Sequence, residues 1–556
     1  MSFRPHFSVA GVLGALMFGC ASFTPSLVPR PWYVQGAVAG ISAAFGYGIF
    51  VFLAWLLGAA SRWRPSATLT RRLWIALACV GVPLVAVTLW LSHGWQHQIH
   101  VLTDVSPPVS NAWIPILLLA VTLLLVLVAL AKGVRWLVRQ ADRRLVRRLP
   151  NRLAEPLAVL IVAVFLITLS NGLIWRGLVS VANSSSGSLN GTTNHGTFRP
   201  VAPERSGSPA SLISWDSLGR QGRDFVGLGP DRAELTAFSG VPAKEPVRVY
   251  AGLKSADSLR ARASLAIRDL RRAGGFDRAV LVVATTTGTG LVDPAAVESL
   301  EYMYNGDTAT VALQYSFLPS FISLLVDNDS AQVAGRELFN EVYDAWADLP
   351  PNRRPKLLVT GTSIGVFATE SAFSGLADIR NRTDGVVWAG APNFSPLHHM
   401  FVQRRDPGTP EWLPTYDHGK DVRFASAPRD LRPNGIRWRR PRIVYLQNGS
   451  DPVLFWSPQL AFSKPDWLSE PRAPDVSQDM HWFPVVTFWQ VTADLPSTYF
   501  VPPGHGHRYG TLYADAWAAV ARPPGWTAGD TARLRAKIQE NEAIREAMAL
   551  ARARTG

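Results

Sequence analysis

The chain has 556 residues, 48% of them hydrophobic, a formal net charge of +14 and two cysteines. That length exceeds one ordinary domain, and Cys20 and Cys79, both inside apolar runs, exclude a disulfide framework and a cysteine-type zinc cluster. The charge is regional: residues 1–176 hold 15 Lys/Arg against three acids, whereas the remainder holds 40 against 38. Basic clusters between apolar runs mark membrane topology, not a nucleic-acid surface.

Five apolar runs open the chain, at 7–28, 34–59, 73–92, 113–131 and 154–175. Each is near the ~20 residues that cross a hydrocarbon core. Trp32, Trp63, Trp90, Trp113, Trp136 and Trp175 sit at run ends, as interfacial anchors do. A cleaved signal peptide is the alternative for run one, because Arg4 precedes an apolar stretch. The stretch between runs two and three carries Arg62, Arg64, Arg71 and Arg72. Between runs four and five lie Lys132 and seven arginines from Arg135 to Arg152, while 92–112 has no Lys or Arg. This asymmetry predicts a cytoplasmic N-terminus and an inner-membrane protein whose C-terminal part lies outside the cytoplasm. His93, His97, His100 and Asp104 are read as residues of a solvated loop rather than metal ligands.

Residues 1–176 are thus predicted as a transmembrane domain and 177–240 as a Ser/Gly/Pro-rich linker. From 241 to 525 strands alternate with helices. Strands are expected at 247–250, 279–284, 310–315, 357–359, 386–388, 443–446 and 485–492. Helices are expected at 256–273, 294–304, 330–349, 366–376 and 511–520. Alternation of this kind predicts a doubly wound, mostly parallel α/β sheet, with ligands at the carboxyl ends of its strands. The stretch 396–440 interrupts the pattern and is a possible lid, with Trp438 among arginines suited to anionic headgroups. Residues 526–556 read as a charged packing helix.

The chemistry centres on Gly361-Thr362-Ser363-Ile364-Gly365, a strand-to-helix turn with a serine at its apex. The N–H of Ile364 would face a developing oxyanion. A second donor is expected from the loop after an early strand, at Thr286 or Thr287. That Gly-containing loop lacks the Lys-Ser/Thr ending of a phosphate-binding loop. Asp451 follows the strand at 443–446, and His505 and His507 precede the last helix of the alternating region. The order Ser, Asp, His is that of a hydrolase triad. His507 lies nearer the helix, but either histidine can be the base. No cofactor or metal is expected.

The chain resembles a bacterial family of multi-pass membrane proteins with a C-terminal catalytic domain, α/β-hydrolase family 9. The resemblance runs over nearly the whole chain. It rests on Ser22-Phe23-Thr24-Pro25-Ser26-Leu27, the Ser363 pentapeptide, Asn448-Gly449-Ser450-Asp451-Pro452 and Gly504-His505-Gly506-His507. It implies the α/β-hydrolase fold and a serine hydrolase. The expected partners are the lipid bilayer and a small-molecule or lipid ester or thioester, with no nucleic acid. An acyltransferase using the same residues is one alternative. A non-catalytic transport or assembly protein, with the hydrolase fold as a binding module, is the other.

Overall fold

A computed structural model of the protein describes residues 7–61, 66–106, 112–145, 187–318, 323, 328–432 and 435–555. The chain divides into two units. One comprises Met1–Ala182 with Ser457–Ser469 and Pro474–Ser497; the other comprises Asn183–Trp456, Glu470–Ala473 and Thr498–Gly556.

In the first unit, helices α1 (Val9–Ala21), α2 (Trp32–Ser61), α3 (Ala67–Leu102) and α4 (Trp113–Leu145) follow the first four apolar runs. Three of them, α2, α3 and α4, are long and apolar enough to cross a membrane. The expected count of five is not reached among the described residues. The 13 residues of α1 span only about 20 Å at 1.5 Å per residue, and run five lies outside the described residues. Small residues set the packing, as between membrane helices. Gly14 of α1 and Gly46 of α2 meet backbone to backbone, and a Cβ on Gly14 would lie 2.3 Å from the Gly46 carbonyl. The helix α3 runs on through the stretch read as a loop, so His93, His97 and His100 lie on it. Among the described residues no three His, Cys, Asp or Glu side chains are grouped to hold a metal.

Residues 22–30 leave α1 as a buried turn. Ser22 Oγ donates to the Gly19 carbonyl at 2.6 Å, and Pro25 and Pro29 cannot continue a helix. This turn receives the helix Val486–Ser497. Its Gln490 side chain donates to the Thr24 carbonyl at 3.0 Å. Its Asp494 accepts from Arg30 Nε at 2.6 Å, from the Leu27 N–H at 3.1 Å and from Ser26 Oγ. The segment 485–492 was expected as a strand of the sheet. It is helical because Gln490 and Asp494, four residues apart, then fall on one face and reach the turn together; tertiary contacts override its β-branched and aromatic composition.

The second unit holds seven strands: β1 (Val247–Ala251), β2 (Val280–Thr285), β3 (Thr308–Leu313), β4 (Lys356–Thr362), β5 (Gly385–Ala389), β6 (Val422–Ala425) and β7 (Arg442–Leu446). Their order is β1-β3-β2-β4-β5-β7-β6, and every pairing is parallel. Side chains alternate between two apolar layers. Leu281 and Val283 of β2 join the layer of the helices Leu259–Arg272 and Asn328–Ala347. Val280 and Val282 join that of Pro294–Met303 and Leu512–Val520. Each fully buried aliphatic side chain contributes about 1.5–3 kcal/mol. The strand order reverses direction between β2 and β4, and in such sheets ligands bind at the carboxyl ends of the strands flanking that point.

Two compositional expectations need correction. The described part of the supposed linker is packed: Arg205 is buried against Glu245 at 2.7 Å, and the helices Gly219–Gly227 and Arg232–Ser239 follow. Its Ser/Gly content serves tight turns under a folded layer. The interval 396–440 contains the edge strand β6, so it is not a lid as a whole. Trp438 is buried with the Arg423 and Arg442 guanidinium carbons 4.1 and 4.9 Å from its ring. The final helix, Ala528–Thr555, packs Leu534 and Ile538 into the core.

Candidate active site

Strand β4 ends at Thr362, and the helix Ile364–Glu370 begins two residues later. Ser363 makes the turn with φ 60° and ψ −133°, a conformation that costs a non-glycine residue of order 1–3 kcal/mol. The turn is over-determined. The Ser363 N–H donates to the Ala389 carbonyl at 2.9 Å. Thr285 Oγ1, at the end of β2, donates to the Gly365 carbonyl at 2.6 Å. A Cβ on Gly365 would sit 2.6 Å from the Thr285 carbonyl, so only glycine lets the helix pack this closely on the β2 end. Ile364 opens the helix, so its N–H has no intrahelical partner.

The two candidate donors after β2 differ. The Thr287 N–H already donates to the Leu291 carbonyl at 2.9 Å, a turn bond the sequence did not reveal. Thr286 anchors its own side chain on the Leu313 carbonyl at 3.0 Å. Thr287 is therefore set aside as a donor and Thr286 retained.

Asp451 lies in the turn after β7. Its Oδ1 accepts the Val453 N–H at 2.9 Å. Its Oδ2 takes His507 Nδ1 at 2.6 Å, with both side chains fully buried. The loops carrying them are tied together: Asn448 Nδ2 donates to the Gly506 carbonyl at 2.9 Å and the Gly506 N–H to Ser450 Oγ at 2.8 Å. Of the two histidines, His507 makes the aspartate bond; His505 is half-buried in the preceding turn, its carbonyl accepting from the Arg508 N–H. His507 Nε2 is buried and has no hydrogen-bond partner. The ring lies over Gly390, where φ is +61° and a Cβ would come within 2.3 Å of His507 Cε1. Gly390 directly follows Ala389, whose carbonyl holds the Ser363 N–H. The end of β5 thus touches both the serine backbone and the histidine ring.

Two features escaped the sequence reading. Tyr509 Oη donates to Asp451 Oδ2 at 2.5 Å; burial and then the neighbouring carboxylate push its phenol well above the usual range. Its only sequence signal is its place two residues after His507. Glu370, at the end of the elbow helix, accepts from the Leu397 N–H at 2.7 Å and from Tyr445 Oη at 2.8 Å, and burial raises it to about 7. His398, on the helix Pro396–Gln403, is buried with Nε2 3.1 Å from Gln447 Oε1, and desolvation lowers it to about 4.

A family model described as alpha/beta-hydrolase family matches residues 247–534, and one described as the N-terminus of that family matches residues 23–230. No curated protein and no solved structure matches the chain.

Proposed function

Because the chain belongs to the α/β-hydrolase family, we propose that it is a membrane-anchored serine hydrolase that cleaves an ester or thioester through Ser363, His507 and Asp451. The observation that carries this reading is the buried Asp451–His507 pair at 2.6 Å, with Nε2 left unpartnered. Asp451 fixes the tautomer, keeping the proton on Nδ1 and the lone pair on Nε2. Nε2 takes the Ser363 proton as Oγ attacks the acyl carbonyl. The N–H groups of Ile364 and Thr286 receive the charge on the carbonyl oxygen. The imidazolium then protonates the leaving group, and water repeats the sequence on the acyl-enzyme.

The substrate class we infer is a lipid or acylated envelope component, because the apolar helices hold the enzyme at a bilayer. The catalytic chain is assigned to the extracytoplasmic side. Two contacts within the first unit support this beyond the loop charges. Segment 474–497 meets Arg30, just before α2, and Gln98 near the end of α3, through Ser477 at 2.6 Å. Both are ends that the scarcity of neighbouring Lys and Arg places outside.

The test is labelling of the full-length protein, in detergent micelles, by a fluorophosphonate. Labelling is expected for the native protein and lost in Ser363→Ala. Absence of native labelling, or equal labelling of the variant, would sink the enzyme reading. Comparing the lipids of strains carrying native and Ser363→Ala protein would then identify the acyl donor.

A further inference from the structure

We propose that Tyr509 is a positioning residue of this site, setting the basicity of His507 through the Asp451 oxygen that the two side chains share; the inference rests on the hydrolase reading above. Oδ2 of Asp451 accepts two hydrogen bonds, from His507 Nδ1 at 2.6 Å and from Tyr509 Oη at 2.5 Å. All three residues are buried, and no Lys or Arg pairs with Asp451 among the described ion pairs. The carboxylate is therefore stabilised by hydrogen bonds alone, and in a low-dielectric site each bond to a charged acceptor is strong. Donors on one oxygen compete. The electron density that Tyr509 draws from Oδ2 is withheld from His507 Nδ1–H, so the phenol restrains the stability of the imidazolium.

The surroundings leave few other groups to do this. The His507 ring is flanked edge-on by Tyr499 and Tyr509, with centroids at 5.4 and 5.8 Å, and Gly390 lies beneath it. Tyr513 is the next titratable group near Tyr509. Its hydroxyl is paired with Thr362 at 2.7 Å. Arg508, between the two residues in sequence, turns its charge to Glu546 at 2.5 Å. Burial keeps the Tyr509 phenol protonated, so it stays a donor over the working range of pH.

The experiment is the pH profile of kcat/KM for p-nitrophenyl butyrate, using full-length protein in micelles. Tyr509→Phe is expected to move the acid limb up by about half a unit to one unit, the share of a charge-assisted hydrogen bond that reaches the imidazole. KM should stay within about twofold, since no bond to the acyl group is lost. In an Asp451→Asn background the same substitution should shift nothing further, because its route is gone. A 3-fluorotyrosine at 509 keeps the ring and is a stronger donor, so it should move the limb down; it also serves if the phenylalanine variant fails to fold. An unchanged profile, a uniform loss at every pH, or a shift that persists without the carboxylate would overturn the inference and leave the hydrolase reading standing. A native protein inert to both ester and fluorophosphonate would remove both.

Discussion

Arg30 and Asp494 are separated by 464 residues and meet with side chains 1% and 0% exposed. Removing one member of a buried ion pair strands the other, at a cost of about 3–5 kcal/mol. Arg30→Met leaves Asp494 with the Leu27 N–H and Ser26 Oγ, which places the loss near the lower end, about 3 kcal/mol. Asp494→Leu leaves Arg30, among the described residues, with Gln35 at 3.0 Å, and belongs near the upper end. The double variant Arg30→Met/Asp494→Leu replaces the pair with apolar volume and should recover most of the loss. Because 3 kcal/mol multiplies the opened fraction roughly a hundredfold, limited proteolysis within residues 474–497 reads the effect directly when opening is fast compared with cleavage. Arg30→Met should be cut roughly 100-fold faster than native protein, Asp494→Leu roughly a thousandfold faster or more, and the double variant within about tenfold of native. Singles that change the rate less than fivefold, or a double as labile as the two losses added, would refute the argument that this pair holds the segment.

Gly390→Ala should abolish fluorophosphonate labelling by at least about 100-fold, because the new methyl displaces the His507 ring and a 1 Å misplacement costs that much; unaltered labelling would show that the ring is not where catalysis needs it. Glu542 is raised to about 7, by burial first and then by the charge of Asp293. Its folded proton affinity exceeds the unfolded one, so the native state binds more protons between pH 4.5 and about 7, and stability falls as pH rises through that window. Melting temperature should decline across it, and Glu542→Gln should flatten the decline; a variant with the native slope would contradict this. A C-terminal alkaline phosphatase fusion should be active, and an inactive one would reverse the proposed orientation.

Much of the architecture was legible because it is local. A parallel strand buried on both faces must be a short apolar run, and β2, β4, β5 and β7 read that way. β6 did not, since four residues inside a polar, proline-rich interval give too little periodicity. The end of β7 and the turn at Asp451 were visible for the same reason as the Ser363 elbow: Gly, Asn and Asp are the residues that tight turns require. The packed segment 187–240 was misread because Ser and Gly suit both a flexible linker and close turns. Composition cannot separate these without knowing that Arg205 finds Glu245.

What the sequence by itself determined is every feature carried by a short window. These are the apolar helices and their flanking arginines, the strand–helix alternation, the serine apex, and the order of aspartate and histidine after it. Only the tertiary structure decided which groups meet. His507 and Asp451 lie 56 residues apart, and the His507 ring lies over Gly390, where a Cβ would collide with it. The Thr287 N–H was spent on a turn. Tyr509 came to share the Asp451 oxygen, and a stretch with strand composition became the helix that Arg30 receives. Each outcome is a hydrogen bond made at short range in space between residues far apart or unremarked in the chain, and burial makes leaving it unmade too costly.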